Sequence, residues 1–229
     1  MLKVDNLNVY YGESHVIRNV SFELGEHETI AVMGRNGMGK TTLLKSLIGI
    51  LPARSGSVAL DGTELTRRKS YERVATGLAY VPQGRMIFPY LTVEENILTG
   101  MENVPDRTVP QYVYDTFPAL WEMRKRRGGN LSGGQQQQLA IARALVSKPK
   151  VLLLDEPTEG IQPSIIKEIA RSLNKLKTEF KFSMLVSEQV LSFATEIADR
   201  FLILERGEFA YEGQKATLDT GRIHAYLTI

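Results

Sequence analysis

Apolar and polar positions change their period along this chain. Leu2, Val4, Leu7 and Val9 alternate with polar neighbours and predict a strand over residues 2–10. Ile30, Ala31, Val32 and Met33 form a continuous apolar run, the mark of a short buried strand. After a Gly-rich stretch, Leu43, Leu44, Leu47 and Ile48 repeat at helical spacing, so a helix is expected over residues 40–50, stopped by Pro52. Residues 58–60 read as a strand entering a tight turn at Asp61-Gly62, and residues 78–81 as a strand closed by Pro82. From about 84 to 145 the strand signals fade. Thr92 followed by Glu95 matches a capping box, and residues 111–117 predict a short helix stopped by Pro118. The last third alternates again. Residues 151–154 are wholly apolar, as a central parallel strand would be. Pro163 opens a helix whose Ile166, Ile169, Leu173 and Leu176 share a face. Residues 183–186 and 201–204 predict strands, and residues 190–197 a helix between them. This alternation predicts an α/β fold with a largely parallel sheet and a helical lobe inserted into it.

Composition narrows the class. At 229 residues the chain is one large domain, and 43% hydrophobic with 24% charged residues excludes a disordered one. A net charge of +2 gives no case for nucleic acid as a partner. Cysteine is absent, which excludes disulfides, a thiolate metal site and a Cys nucleophile, and fits a reducing compartment. No apolar run approaches the ~20 residues that span a bilayer. Met1 to Asp5 lacks the apolar core of a leader, so a soluble, cytosolic chain is expected. Arg124, Lys125, Arg126 and Arg127 are expected on a solvated helix face, and Gln135 to Gln138 on a polar one. His15, His27 and His224 show no metal-ligand spacing.

Gly34-Arg35-Asn36-Gly37-Met38-Gly39-Lys40-Thr41 fits the phosphate-loop pattern G-x-x-x-x-G-K-[ST], with Thr42 next. Its glycines let backbone N–H groups turn onto phosphates. Lys40 would reach the β- and γ-phosphates, and the Thr41 hydroxyl would take Mg²⁺. A strand before and a helix after supply the context that the pattern needs. Such a loop calls for an acid at the end of a second apolar strand, and Asp155 stands there. Glu156, one residue on, is placed to polarise an attacking water. These features indicate a nucleoside-triphosphatase. The guanine-reading Asn-Lys-x-Asp is absent. Leu131-Ser132-Gly133-Gly134-Gln135 adds a Ser cap and two glycines at a helix start, a second anion-binding helix N-terminus where one nucleotide needs only one.

Together these motifs resemble the ATP-binding subunit of ABC transporters over almost the whole chain. The resemblance implies ATP and Mg²⁺ as cofactors. It implies a RecA-like, mostly parallel sheet core over residues 1–84 and 146–229, with an N-terminal antiparallel β part and a helical lobe at 85–145 carrying the signature. It also implies a head-to-tail dimer, each ATP lying between one chain's phosphate loop and the other's Ser132, Gly133 and Gln135. Tyr11 matches the aromatic that stacks on adenine, with Tyr10 adjacent. Gln83 matches the glutamine that ligates Mg²⁺ and senses the membrane partner.

Two positions depart from the family. Glu159-Gly160-Ile161-Gln162 replaces Ser-Ala-Leu-Asp, so Gln162 stands in place of the Asp that reaches across the dimer in the family, and Gln189 stands where a His usually meets the γ-phosphate. A Gln can donate a hydrogen bond there but cannot become cationic. These departures resemble the ATPases of branched-chain amino acid, amide and urea importers. The Val81 to Arg85 and Ile87 to Pro89 segments, Gln135 to Gln138, Glu159 to Ile166 and the ending Ile223 to Ile229 are most similar to the urea-uptake type. The implied partners are two permease subunits, a second, different ATPase and an extracytoplasmic solute-binding protein. The implied place is the cytoplasmic face of the plasma membrane, peripherally attached. An exporter ATPase, a soluble DNA- or ribosome-acting relative and a regulatory module without turnover remain as alternatives. The apolar run Met86 to Tyr90 is expected to line a groove for a permease helix.

Overall fold

The computed structural model describes residues 1–102 and 107–227. β1 (Leu2–Tyr11) and β2 (Ser14–Leu24) form a hairpin, and β3 (Thr29–Met33) leads through the glycine loop into α1 (Lys40–Ile48). β4 (Ala53–Leu60) turns into β5 (Thr63–Glu64), and α2 (Ser70–Thr76) precedes β6 (Leu78–Val81). The next helices are α3 (Val93–Leu98), α4 (Gln111–Thr116), α5 (Pro118–Glu122) and α6 (Gly133–Leu145). Then follow β7 (Val151–Asp155), α7 (Pro163–Phe180), β8 (Ser183–Glu188), α8 (Leu191–Ile197), β9 (Arg200–Glu205), β10 (Glu208–Gln214) and α9 (Thr220–Leu227).

Two sheets result. One is antiparallel, in the order β2-β1-β4-β5. The other runs β10-β9-β3-β8-β7-β6 and is parallel except for the β9–β10 pair. The α/β architecture expected from the apolar pattern is therefore present. Every residue of β3 and β7 is buried, which is why both read as unbroken apolar runs. Leu7, Ile17, Leu43, Leu47 and Leu153 fill the space around α1 and the two sheets. Leu139, Leu152, Leu173 and Met184 join α6 and α7 to the opposite face. Phe201, Ile203 and Ile223 seat α8 and α9. Among the described residues no helix is long and apolar enough to cross a membrane.

Several local expectations change. α1 ends at Ile48 because Gly49 turns left-handed at φ 84 and its N–H meets Lys45 and Ser46 carbonyls; Pro52 comes after the stop. Pro118 does not simply end α4: it opens α5. On α7 the buried stripe is Ile169, Ala170, Leu173 and Leu176, while Ile166 is only partly covered. Gln137 and Gln138 are buried, Gln135 and Gln136 half-buried, and Gln138 Nε2 donates to Glu168 Oε1 on α7 at 3.0 Å, so the glutamine tract is not a solvated face. The basic run Arg124 to Arg127 is turn and bridge, with the Arg124 and Arg126 carbonyls accepting from Glu94 and Val93 N–H groups. Thr228 and Ile229 of the C-terminal motif lie outside the described residues.

Candidate nucleotide site

Four neighbouring parallel strands, β3, β8, β7 and β6, end on the same edge of their sheet. The segments that leave that edge carry Gly34, Gln189, Glu156 and Gln83, the place where parallel α/β sheets hold ligands. The glycine loop needs its glycines. Gly39 has φ 108, and a Cβ there would lie 2.8 Å from Ile17 Cδ1. α1 opens from that loop with no side-chain cap and no acid in its first turn, leaving its amides and positive end for an anion.

Lys40 is almost wholly buried. Its ammonium donates to Gly34 O at 2.7 Å and Arg35 O at 3.1 Å, and pairs with Glu156 Oε1 at 3.0 Å. Three ammonium hydrogens thus meet three acceptors. Glu156 itself sits at φ 46, a left-handed conformation that costs a non-glycine residue on the order of 1 kcal/mol. Its N–H is held by the Ser187 carbonyl at 3.0 Å and hydroxyl at 3.1 Å. Gln189 Nε2 donates to Glu156 Oε1 at 3.0 Å and to Asn36 Oδ1 at 2.6 Å. Gln83 Nε2 approaches Glu156 Oε2 at 3.4 Å. The structure therefore brings Asn36, Lys40, Gln83, Glu156 and Gln189 into one cluster.

Asp155 lies below it, 1% exposed. Its Oδ1 accepts from Thr41 Oγ1 at 3.0 Å and Ser187 Oγ at 2.6 Å, and its Oδ2 from the Tyr80 hydroxyl at 2.9 Å. Burial, reinforced by the Asp155 charge, raises the Tyr80 hydroxyl far above its ordinary range and keeps it a donor. Val16, Asn36, Lys40, Thr41, Gln83 and Glu156 line a cavity of about 180 Å³ over this floor. Thr41, Asp155 and Gln83 can each offer an oxygen atom, the donor type that Mg²⁺ prefers. No three His, Asp or Glu side chains converge among the described residues. A cation held here would share its coordination with phosphate and water, which fits how Mg²⁺ binds nucleotides.

The other sequence-derived positions fall around this centre. Thr42 is buried, Arg35 Nε donates to the Tyr226 carbonyl at 3.3 Å, and Met38 Sδ accepts from Arg206 N at 3.3 Å. Tyr10 stacks on His15 at 4.1 Å with Arg54 at 4.7 Å, whereas Tyr11 is 47% exposed at the end of β1. Ser132 caps α6 through a reciprocal box with Gln135: Gln135 N donates to Ser132 Oγ at 3.4 Å and Ser132 N to Gln135 Oε1 at 2.9 Å. None of Leu131 to Gln135 lines the cavity over the phosphate loop. Leu131 is buried in the core, so its side chain anchors the segment. A Cβ at Gly134 would press on Ile165 at 2.8 Å, so that glycine serves helix packing. Gln162 is exposed as the N-cap of α7.

Sequence reasoning assigned no role to Tyr80, Ser187 or Glu188. Glu188 is buried and accepts from the N–H groups of Gln189 at 2.7 Å, Val190 at 2.9 Å and Thr158 at 3.2 Å, and from the Thr158 hydroxyl. Burial pushes its carboxyl above the ordinary value despite these donors. It ties the turn after Glu156 to the loop that carries Gln189. A larger depression of about 610 Å³ lies elsewhere, lined in part by Met86, Phe88, Thr99, Glu102 and Arg143.

The ABC transporter family model matches residues 17–159. A high-affinity branched-chain amino acid transport ATP-binding protein of Pseudomonas aeruginosa is 41% identical, over 96% of this chain and 95% of its own length. A probable branched-chain amino acid transport ATP-binding protein of Archaeoglobus fulgidus is 39% identical, over 93% and 92%. Among solved structures, a dimeric ATP-binding cassette in a post-hydrolysis state, bound to ADP and phosphate, superimposes with a TM-score of 0.85. It is 26% identical over 94% of this chain and 99% of that one.

Proposed function

This chain belongs to the ABC transporter family as an ATP-hydrolysing subunit, and on that premise we propose that it drives a solute importer, with branched-chain amino acids as the solute. The observation that carries the ATPase chemistry is the cluster of Lys40, Glu156, Gln189 and Asn36 over the phosphate loop.

ATP lies with its phosphates on the amides of residues 34–42, and Tyr11 stacks on the adenine. Thr41, Gln83 and Asp155 would hold Mg²⁺, which would supply neutralisation of phosphate charge when bound. Lys40 turns from Glu156 to the γ-phosphate. Glu156 then orients a water in line with the γ-phosphorus and takes its proton as the P–O bond to ADP breaks. Gln189 supplies a neutral hydrogen-bond donor at the γ-phosphate, held in place by Asn36. Ser132, Gly133 and Gln135 of a second ATPase chain complete the site, so that ATP closes a head-to-tail pair and hydrolysis reopens it. The capped N-terminus of α6, outside the cavity over this chain's own phosphate loop, supports that reading.

The depression beside Phe88 receives a helix from one of two permease subunits, on the cytoplasmic face of the membrane. Its size and the exposed Met86 and Phe88 support this. Phe88→Asp should uncouple transport while leaving basal ATPase intact; loss of folded protein would assign Phe88 to the core. Residues 85–145 act as one lobe, and a solute-binding protein delivers the solute from outside.

The amino acid reading is supported by the relatives. A urea reading is favoured instead by the pattern of residues 81–89, 135–138 and 159–166. Uptake of labelled leucine and labelled urea, with and without this gene, separates them. Loss of leucine uptake alone, restored by the parent gene and not by Lys40→Ala, supports the proposal. Loss of urea uptake alone moves the protein to the urea branch. If neither uptake changes, both solute readings fail.

A further inference from the structure

The segment after Gln83 is bent against its own preference. Gly84, Arg85 and Met86 have φ of 75, 68 and 42, three left-handed residues in succession. Only the first is a glycine; for the other two this conformation is disfavoured by about 1–2 kcal/mol each. Two arginines hold it. Arg143 on α6 donates through Nη2 to Met86 O at 2.9 Å and to Arg85 O at 3.4 Å. The guanidinium of Arg85 reaches two further segments. Nη1 approaches Gln136 Oε1 on α6 at 3.4 Å, and Nη2 donates to Glu159 O at 3.1 Å and Gly160 O at 3.4 Å. It lies against two glycines: a Cβ at Gly133 or Gly160 would come within 3.2 or 3.3 Å of its nitrogens. One side chain therefore joins the loop behind the Phe88 depression, the first turns of the signature helix and the turn that follows Glu156.

We propose that Arg85 is a positioning residue that carries movement at the permease groove to the two segments facing the second ATPase, residues 132–136 and 159–162. The inference rests on the head-to-tail reading above. A planar guanidinium with five donors in a fixed fork can span these acceptors at once, and a lysine ammonium on its flexible stem cannot hold the same geometry. A push on Met86 to Phe88 that relaxes the left-handed pair draws the guanidinium off Glu159 and Gly160. The partner-facing surface then loses its alignment without any change at the phosphate loop.

The test uses the full chain carrying Glu156→Gln, with Mg-ATP as the probe. Association is followed by sedimentation, and ATP affinity by equilibrium dialysis at protein concentrations too low for association. Adding Arg85→Gln should weaken ATP-driven association about tenfold or more, the effect of losing charged hydrogen bonds. ATP affinity should stay within about twofold, because the phosphate loop is a separate locus. Arg85→Lys should fail to restore association. Gln136→Ala, which keeps Arg85, should act in the same direction with a smaller loss and serves if Arg85→Gln does not fold. Unchanged association in both variants would overturn the inference. So would a fall in ATP affinity and thermal midpoint in step with association, which would make Arg85 a local structural brace. If Glu156→Gln alone fails to associate with ATP, both alone and with its co-expressed ATPase partner, the head-to-tail reading fails first, and this inference with it.

Discussion

Lys40 and Glu156 are almost fully enclosed, with 3% and 11% of their side-chain surfaces exposed, and each is the other's charge partner. Removing one leaves the other as a buried, unmatched ion, which is costly. Lys40→Ala should therefore abolish ATP binding and also lower the thermal midpoint, both readable on the purified chain. Glu156→Gln should keep nucleotide binding and lower phosphate release by about 10²–10⁴-fold, the usual range for loss of a general base. If parent and variant are both inactive, the regulatory reading returns. Tyr80→Phe deletes a donor to buried Asp155 and should cost about 1–3 kcal/mol in urea unfolding. Lys40, Asp155 and Glu156 could be read from motif spacing because that spacing follows local chain geometry. Tyr80 and Ser187 could not. They reach Asp155 only because β6 and β8 flank β7, with Ser187 opposite Asp155 in the register, and no local pattern encodes that pairing.

Elements with a local punctuation signal were legible. The Thr92–Glu95 box caps α3 as its sequence implies, and Thr92→Ala should cost about 1 kcal/mol in the same unfolding assay, without effect on ATP affinity. α2 starts where the Lys69 N–H donates to Glu72 Oε2 at 2.8 Å with no side-chain cap from Lys69, and lysine is not a residue that announces a helix start. β10 alternates between exposed and half-buried positions, so its apolar signal is weak. Between β8 and α8 the deciding residue is Glu188. Because burial raises its carboxyl, the folded chain holds that proton more tightly than the unfolded chain does. Its contribution is greatest below the ordinary value of 4.5 and is lost as pH rises through the raised value. The thermal midpoint of the parent, relative to Glu188→Gln, should therefore fall as pH rises above 4.5. A flat difference would remove this residue from the pH dependence.

At the scale of the molecule, the parallel sheet collects on one edge segments that are far apart in sequence, and the alternating pattern anticipated that parallel sheet. The helix start at Ser132 does not line the cavity over the phosphate loop, which is consistent with the proposed partner chain. Chelating Mg²⁺ with EDTA should stop turnover and prevent ATP-driven association of the Glu156→Gln chain, measured by phosphate release and sedimentation. In the proposed cycle the single ammonium of Lys40, which rests on Glu156 in the structure, serves two anions that never need it together: the carboxylate between turnovers and the γ-phosphate during one. Departure of the cleaved phosphate and the lysine's return to Glu156 would then be a single exchange, and the site would carry its own reset, idle with the proposed water-activating group already occupied.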